Sequence, residues 1–161
     1  WIFTSFFIDG YSNAGNALAG KYLGENNNKK LKYLGNKLLK TNIQISLILV
    51  IIYFLSYPFI GEIFNSDIKV NKLFQATFWI VIIAQPFNAV AFTFDGIFKG
   101  LGRAVELRNT LTVASFIIFI PTIYILDNFY SNLICIWIAL TFWMIYRGGS
   151  LYIKFKKIVN Q

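Results

Sequence analysis

The 161-residue sequence has no histidine, one cysteine and one methionine. Without histidine, a zinc site built from protein side chains or a cysteine–histidine nucleophile pair lacks its usual groups. Cys135 is the one cysteine, so no disulfide can form within the chain, and its place between two isoleucines is typical of a core or lipid-facing residue. These absences favour a protein that is not an enzyme and that holds no cofactor.

Charged side chains are also scarce. They make up 14% of the chain, whereas a soluble domain carries about 25%. Hydrophobic residues make up 57% and lie in long runs, so we expect an all-α polytopic membrane protein. Each run is close to the roughly 20 residues that a helix needs to cross a bilayer. We predict five transmembrane helices, at about residues 1–23, 43–60, 73–99, 109–126 and 131–153.

The basic residues give the predicted helices an orientation. The net charge is +8, and thirteen of the fifteen lysines and arginines fall in alternate connections or after the fifth span. By the positive-inside rule these regions lie in the cytoplasm, so the C-terminus is cytoplasmic. A nucleic-acid surface would instead interleave the charges with exposed aromatic residues, so we expect no nucleic-acid partner.

The third predicted span carries a polar stripe. Gln85, Asn88, Phe92, Asp95 and Lys99 are spaced three or four residues apart, which places them on one face of a helix. Polar groups within a membrane span mark functional sites. Two interpretations of the carboxylate at position 95 stay open: an ion-binding or gating group, or an i,i+4 ion pair with the lysine. Pro86 is expected to kink this helix near residues 82–85.

A second polar stripe lies in the first span, where Asp9, Asn13, Asn16 and Gly20 share one helical face. Asp9 is predicted to lie deep in the bilayer, where a carboxylate costs about 2.5–3.5 kcal/mol on insertion scales. It should therefore face protein or water. The alternatives are a proton or cation site, and a carboxylate bonded to a neighbouring helix for packing.

Residues 29–40 precede the second span and alternate leucines with lysines. Leu31, Leu34 and Leu38 recur at helical spacing. The pattern predicts an amphipathic start to the second helix that lies on the membrane surface and contacts anionic lipids.

Three stretches also carry a family likeness. The segment QPFNAVAFTFDGIFKGLGRAVELRN, residues 85–109, closely resembles the DinF-like branch of the MATE (multidrug and toxic compound extrusion) transporters. The segment DGYSNAGNALAGKYLGENN, residues 9–27, and the closing RGGSLYIKFKK, residues 147–157, resemble matching parts of the same branch. The resemblance implies five helices of the second six-helix lobe, with the N-terminal lobe of the same chain missing. A start at Trp1, inside an apolar run, agrees with a C-terminal part of a longer protein.

The resemblance implies a cation-coupled antiporter of the bacterial inner membrane. Protons or sodium enter while a drug-like or amphipathic organic compound leaves by alternating access. Asp95 occupies the motif position of a coupling carboxylate in some relatives, with sodium as one possible ion. The candidate coupling and cavity residues are Asp9, Asn13, Asn16, Gln85, Asn88 and Asp95.

Two alternatives stay open. A lipid-linked oligosaccharide flippase of the wider superfamily would need basic residues deep in its cavity, whereas the sequence predicts every lysine and arginine at a span end or in a loop. A non-transporting structural subunit would not need two polar stripes.

Overall fold

The computed structural model describes residues 2–64, 66–129 and 132–160, and this part of the chain contains helices and turns but no strand. The predicted starts of the first and fifth spans, Trp1 and residue 131, lie outside it. Four segments after the first helix are each long and apolar enough to cross a bilayer. The prediction of an all-α polytopic membrane protein is confirmed. The helices are α1 (Ile2–Gly24), α2 (Asn28–Phe64), α3 (Ile68–Gly100), α4 (Ala104–Val113), a π-helical turn (Ala114–Phe119), α5 (Ile120–Leu126) and α6 (Asn132–Val159).

Short polar turns separate the helices. Asn26 has a φ of 50°, a left-handed conformation that asparagine tolerates, and the side chain of Asn27 accepts a hydrogen bond from the backbone N–H of Lys30 at 3.0 Å. α3 begins after Asp67, whose carboxylate accepts from the backbone N–H of Lys69 at 2.7 Å. These turns are tight, so α1, α2 and α3 pack beside one another.

α3 is the central helix of the bundle. It packs against α1, α2 and α6, and most of its residues from Thr77 to Phe98 are buried. The segment formed by α4, the π turn and α5 packs on α6. Because α3 is covered on three sides, the polar side chains of this buried stretch lie inside the bundle.

Small residues let α1 lie directly on α3. Gly96 and Gly100 of α3 lie so close to Ser12 and Asn16 of α1 that a Cβ on either glycine would meet the α1 backbone. The hydroxyl of Ser12 donates to the backbone carbonyl of Phe92 at 2.6 Å. This contact holds α1 and α3 together beside their polar stripes.

The amphipathic stretch at residues 29–40 is helical, but its leucines are not on the membrane surface. Leu31, Leu34 and Leu38 are buried in a cluster with Phe98 and Phe155, which belong to α3 and α6. The prediction of membrane-facing leucines is wrong because α2 begins at Asn28 and packs against the protein along this stretch. The lysines between the leucines are exposed.

All three prolines lie within helical segments, and Pro58 is the one inside α2. Pro86 lies inside α3, which is α-helical on both sides of it. Pro121 follows the π turn, in which the backbone N–H of Ile120 donates to the carbonyl of Ser115, five residues earlier. Proline has no N–H to continue an α-helical ladder, so the wider turn precedes the position at which the ladder is interrupted.

Candidate functional site

A buried ion pair joins α3 to α6. The Nε of Arg147 donates to Asp95 Oδ1 at 3.1 Å, and a terminal nitrogen of the same guanidinium bonds Oδ2, so both carboxylate oxygens are engaged. The side chains of Arg147 and Asp95 are only 15% and 5% exposed. Such a two-pronged contact is the strong geometry for an arginine and a carboxylate.

Two aromatic rings flank the guanidinium of Arg147. Its central carbon lies 4.9 Å from the centre of the Trp143 ring and 5.9 Å from that of Phe92. The indole nitrogen of Trp143 in turn donates to the hydroxyl of Ser115 in the π turn at 3.2 Å. The arginine is therefore held both by the carboxylate and by cation–π contacts.

The ion pair corrects two expectations from the sequence. The partner of Asp95 is Arg147, fifty-two residues away, whereas Lys99, the predicted i,i+4 partner, is exposed. Arg147 also lies well inside α6 (Asn132–Val159), so the prediction that all basic residues occupy span ends or loops is wrong.

A local signal for this arginine exists in the sequence. Gly148 follows Arg147 directly, and a Cβ built on Gly148 would lie 3.0 Å from the backbone nitrogen of Ala91. The glycine lets α6 approach α3 closely at this level. An arginine followed by glycine within an apolar run therefore indicates a close helix contact beside a buried charge.

Asn88 lies two turns before Asp95 and also faces α6. It is 2% exposed and lines a cavity of about 10 Å³ together with Trp137, Thr141 and Met144. Among the residues that the structure describes, its amide nitrogen has no hydrogen-bond partner. A cavity of this size has room for about one water molecule, which the amide could bind.

Gln85 is buried at a different part of the α3 surface. Its amide nitrogen donates to the backbone carbonyl of Val81 at 2.9 Å, while its amide oxygen finds no partner within residues 2–64, 66–129 and 132–160. Gln85 does not line the small cavity beside Asn88. The structure thus places both amides in the interior without joining them in one pocket.

The polar stripe of α1 lies beside the face that contacts α3. Asn13 is exposed, and Asp9 and Asn16 are partly buried, while the buried positions next to them include Ile8, Ser12 and Ala19. The α1 side chain that bonds α3 is Ser12, through the carbonyl of Phe92, and this residue is next to the predicted stripe and not part of it.

The sequence patterns missed a second buried polar contact. The amide nitrogen of Asn42 on α2 donates to the hydroxyl of Thr93 at 2.7 Å, and this hydroxyl donates to the carbonyl of Ala89 at 2.6 Å. Asn42 is fully buried. Its position at the start of an apolar run was the available signal, since a lone asparagine at such a place needs an internal partner.

The fold and this interior define a multi-pass membrane protein whose helices enclose an ion pair and several amide side chains. The MatE family model matches residues 1–125. The chain belongs to the MatE family, which confirms the resemblance predicted from its motifs. α6, with Arg147, lies beyond the matched range.

Curated relatives align with nearly the whole chain. It is 25% identical over 149 residues to Protein DETOXIFICATION 42 of Arabidopsis thaliana, which covers 92% of this chain and 28% of that protein. It is 26% identical over 151 residues to DNA damage-inducible protein F of Escherichia coli (strain K12), covering 92% of this chain and 32% of that protein. The chain thus spans about three tenths of the length of these relatives. No solved structure matches it.

Proposed function

We propose that the chain is part of a cation-coupled antiporter that exports drug-like or amphipathic organic compounds by alternating access. The observation that carries the proposal is Asp95, an almost fully buried carboxylate in the central helix of a MatE-family chain. A buried ionisable group within a membrane span is expected to bind an ion or take part in a proton relay. The coupling ion is a proton or sodium, and no other cofactor is required.

In the proposed mechanism, a cation binds at Asp95 and changes the packing of α3 against its neighbours. Asp9 is the second candidate because it is a partly buried carboxylate in α1, which packs against α3. Asn13, Asn16, Gln85 and Asn88 are proposed to line the path of the ion or the substrate. Bending of α3 at Pro86, where the backbone ladder lacks one donor, would link cation binding to substrate release.

The proposal includes the rest of the transporter. We place the chain in the second six-helix lobe of a twelve-helix protein, working with the N-terminal lobe of the same chain. The expected location is the inner membrane of a bacterium, with the C-terminus in the cytoplasm. Support comes from the alternation of basic connections and from relatives about three times as long.

One observation favours the flippase alternative. Arg147 supplies a basic residue inside a span, which the sequence alone did not predict. Its guanidinium is already engaged by Asp95, so a pyrophosphate would have to displace the carboxylate. Accumulation of lipid-linked oligosaccharide after deletion of the full-length gene would support a flippase; proton flux stimulated by an organic substrate would support an exporter.

The exporter proposal predicts that Asp95→Asn in the full-length protein abolishes coupled efflux, since the amide binds neither a proton nor sodium at this site. Ethidium uptake into inverted membrane vesicles, driven by an imposed proton or sodium gradient directed out of the lumen, measures this, because an exporter in an inverted vesicle moves its substrate into the lumen. Asp127→Asn is the matched control, because Asp127 is exposed in the turn after α5. Full coupled efflux by both Asp9→Asn and Asp95→Asn would contradict the mechanism.

A further inference from the structure

The carboxylate proposed to bind the coupling cation is already occupied by a cation of the protein. Arg147 bonds both oxygens of Asp95, one of them at 3.1 Å from Nε. A guanidinium stays charged in proteins, so it cannot leave the carboxylate by losing a proton. Any external cation that binds Asp95 must therefore displace at least one contact with Arg147.

The surroundings of Arg147 provide a place for the displaced guanidinium. The rings of Trp143 and Phe92 lie 4.9 and 5.9 Å from it, and aromatic faces attract a guanidinium without a carboxylate. The indole of Trp143 is itself held by the hydroxyl of Ser115. Partial release of Asp95 would thus leave Arg147 in contact with the rings and not as an isolated buried charge.

We propose that Arg147 is a tethered counter-cation that competes with the coupling cation for Asp95 and thereby sets the affinity of the site. This inference rests on the proposed role of Asp95 in coupling. While Arg147 engages both oxygens, only the fraction of molecules with a released carboxylate binds an external cation, so the apparent affinity falls by that fraction. Arg147 is a positioning residue in this scheme, acting on the cation through Asp95.

The same exchange would change how α6 is held. The ion pair joins α3 to α6, and the bond from Trp143 to Ser115 joins α6 to the π turn. Binding of a cation at Asp95 would remove the ion-pair link between α3 and α6, while the bond from Trp143 to Ser115 would remain. α6 and the π turn would then be freer to move together relative to α3, which couples occupancy of the site to a change in helix packing.

The test uses Arg147→Gln in the purified full-length protein, and the readout is the thermal unfolding midpoint. The midpoint is measured against sodium concentration, with choline chloride keeping the ionic strength constant. It is then measured against pH at fixed sodium. Without the Arg147 guanidinium, the Asp95 carboxylate should bind either sodium or a proton more tightly. We expect the half-saturating concentration of that cation to fall by on the order of tenfold, within the range of typical site couplings. Arg147→Lys, a point charge that cannot engage both oxygens as the fork does, should shift it less in the same direction.

Arg103→Gln is the matched control. It removes another arginine–carboxylate pair, with Glu106 at 2.6 Å, from the exposed turn after α3, and should leave the half-saturating concentration unchanged. Arg147→Gln combined with Asp95→Asn should abolish the gain, because the carboxylate is the site. If Arg147→Gln fails to fold, the shift in Arg147→Lys decides the question.

Two results would overturn the proposal: an unchanged or raised half-saturating concentration for both cations in Arg147→Gln or Arg147→Lys, or a gain that persists without the Asp95 carboxylate. The readout is cation binding and does not require transport. Failure of the exporter proposal would appear separately, as absence of ethidium uptake into inverted vesicles that contain the wild-type protein.

Discussion

Gly96 lies at the closest approach of α1 and α3. A Cβ at this position would meet both the hydroxyl and the backbone carbonyl of Ser12, and the backbone of a packed helix cannot move aside cheaply. Ser12 also donates to the carbonyl of Phe92, so the contact is fixed by a hydrogen bond as well as by shape. The position of Asp95, the residue directly before Gly96 in α3, therefore depends on a glycine.

We predict that Gly96→Ala destabilises the full-length protein by about 1–3 kcal/mol, the usual effect of overpacking a tight contact. Gly149→Ala is the control, because nothing lies within 4 Å of a Cβ at Gly149 in the interior of α6. That substitution should be neutral or stabilise by about 0.5–1 kcal/mol through helix propensity. Thermal unfolding midpoints in one detergent measure both; equal midpoints would contradict the packing argument.

At the residue scale, the sequence placed two carboxylates in polar stripes and expected Asp9 to lie deeper, but the structure buries Asp95 more fully, and the group that neutralises Asp95 was not predicted. The spacing from Gln85 to Asp95 placed a polar stripe on one face, and the structure buries Gln85, Asn88 and Asp95. The glycine after Arg147 indicates a close helix contact, but the pairing also depends on how α6 is rotated against α3, which no local pattern specifies. From spacing along the helix alone, Lys99 was the basic residue expected to pair with Asp95.

The first turns of α2 are amphipathic, and their apolar side is buried against other helices. Its first three turns carry leucines on one side and lysines on the other, and the leucine side is covered by Phe98 and Phe155 from two other helices. A Cβ on Gly35 would meet the ring of Phe155, so a glycine makes room for this contact too. The stretch therefore belongs to the core of the bundle at this end.

Substitutions at two neighbouring residues distinguish the buried side of α2 from its exposed side. Leu34 is 7% exposed and Tyr33 is 70% exposed. We predict that Leu34→Ala lowers stability by about 2–5 kcal/mol, the range for a buried leucine, and that Tyr33→Ala has little effect. Thermal unfolding of the two full-length variants gives the comparison. If both were neutral, the leucines would not be packed in the protein interior as the structure has them.

At the element scale, helix type and number follow from the apolar runs, whereas helix ends do not. α2 begins at Asn28, not near residue 43, because leucines at helical spacing continue the buried face through a lysine-rich stretch. The π turn at Ala114–Phe119 was also not predicted, although Pro121 marks the place where the α-helical ladder is interrupted. Hydropathy locates the apolar part of a helix, while packing and caps decide where it ends.

Across the whole molecule, one end of the bundle carries most of the basic residues. The ammonium of Lys32 at the start of α2 donates to the side chain of Asn160 after α6 at 2.9 Å, so these two regions lie at the same end. Asp127 lies in the turn between α5 and α6, one helix length of α6 away. The positive-inside rule assigns the lysine-rich end to the cytoplasm.

The proposed inner-membrane location and this proposed orientation predict which single cysteines an impermeant maleimide reaches from outside that membrane. In a full-length Cys135→Ala background, Asp127→Cys should be labelled in spheroplasts, whereas Lys32→Cys and Lys156→Cys should be labelled only after the membrane is disrupted. All three positions are exposed, so accessibility depends on the side of the membrane and not on burial. Labelling of Lys32→Cys and Lys156→Cys in intact spheroplasts would reverse the orientation. It would also place the Asp95–Arg147 pair, which lies nearer the lysine-rich end of the bundle, towards the outside.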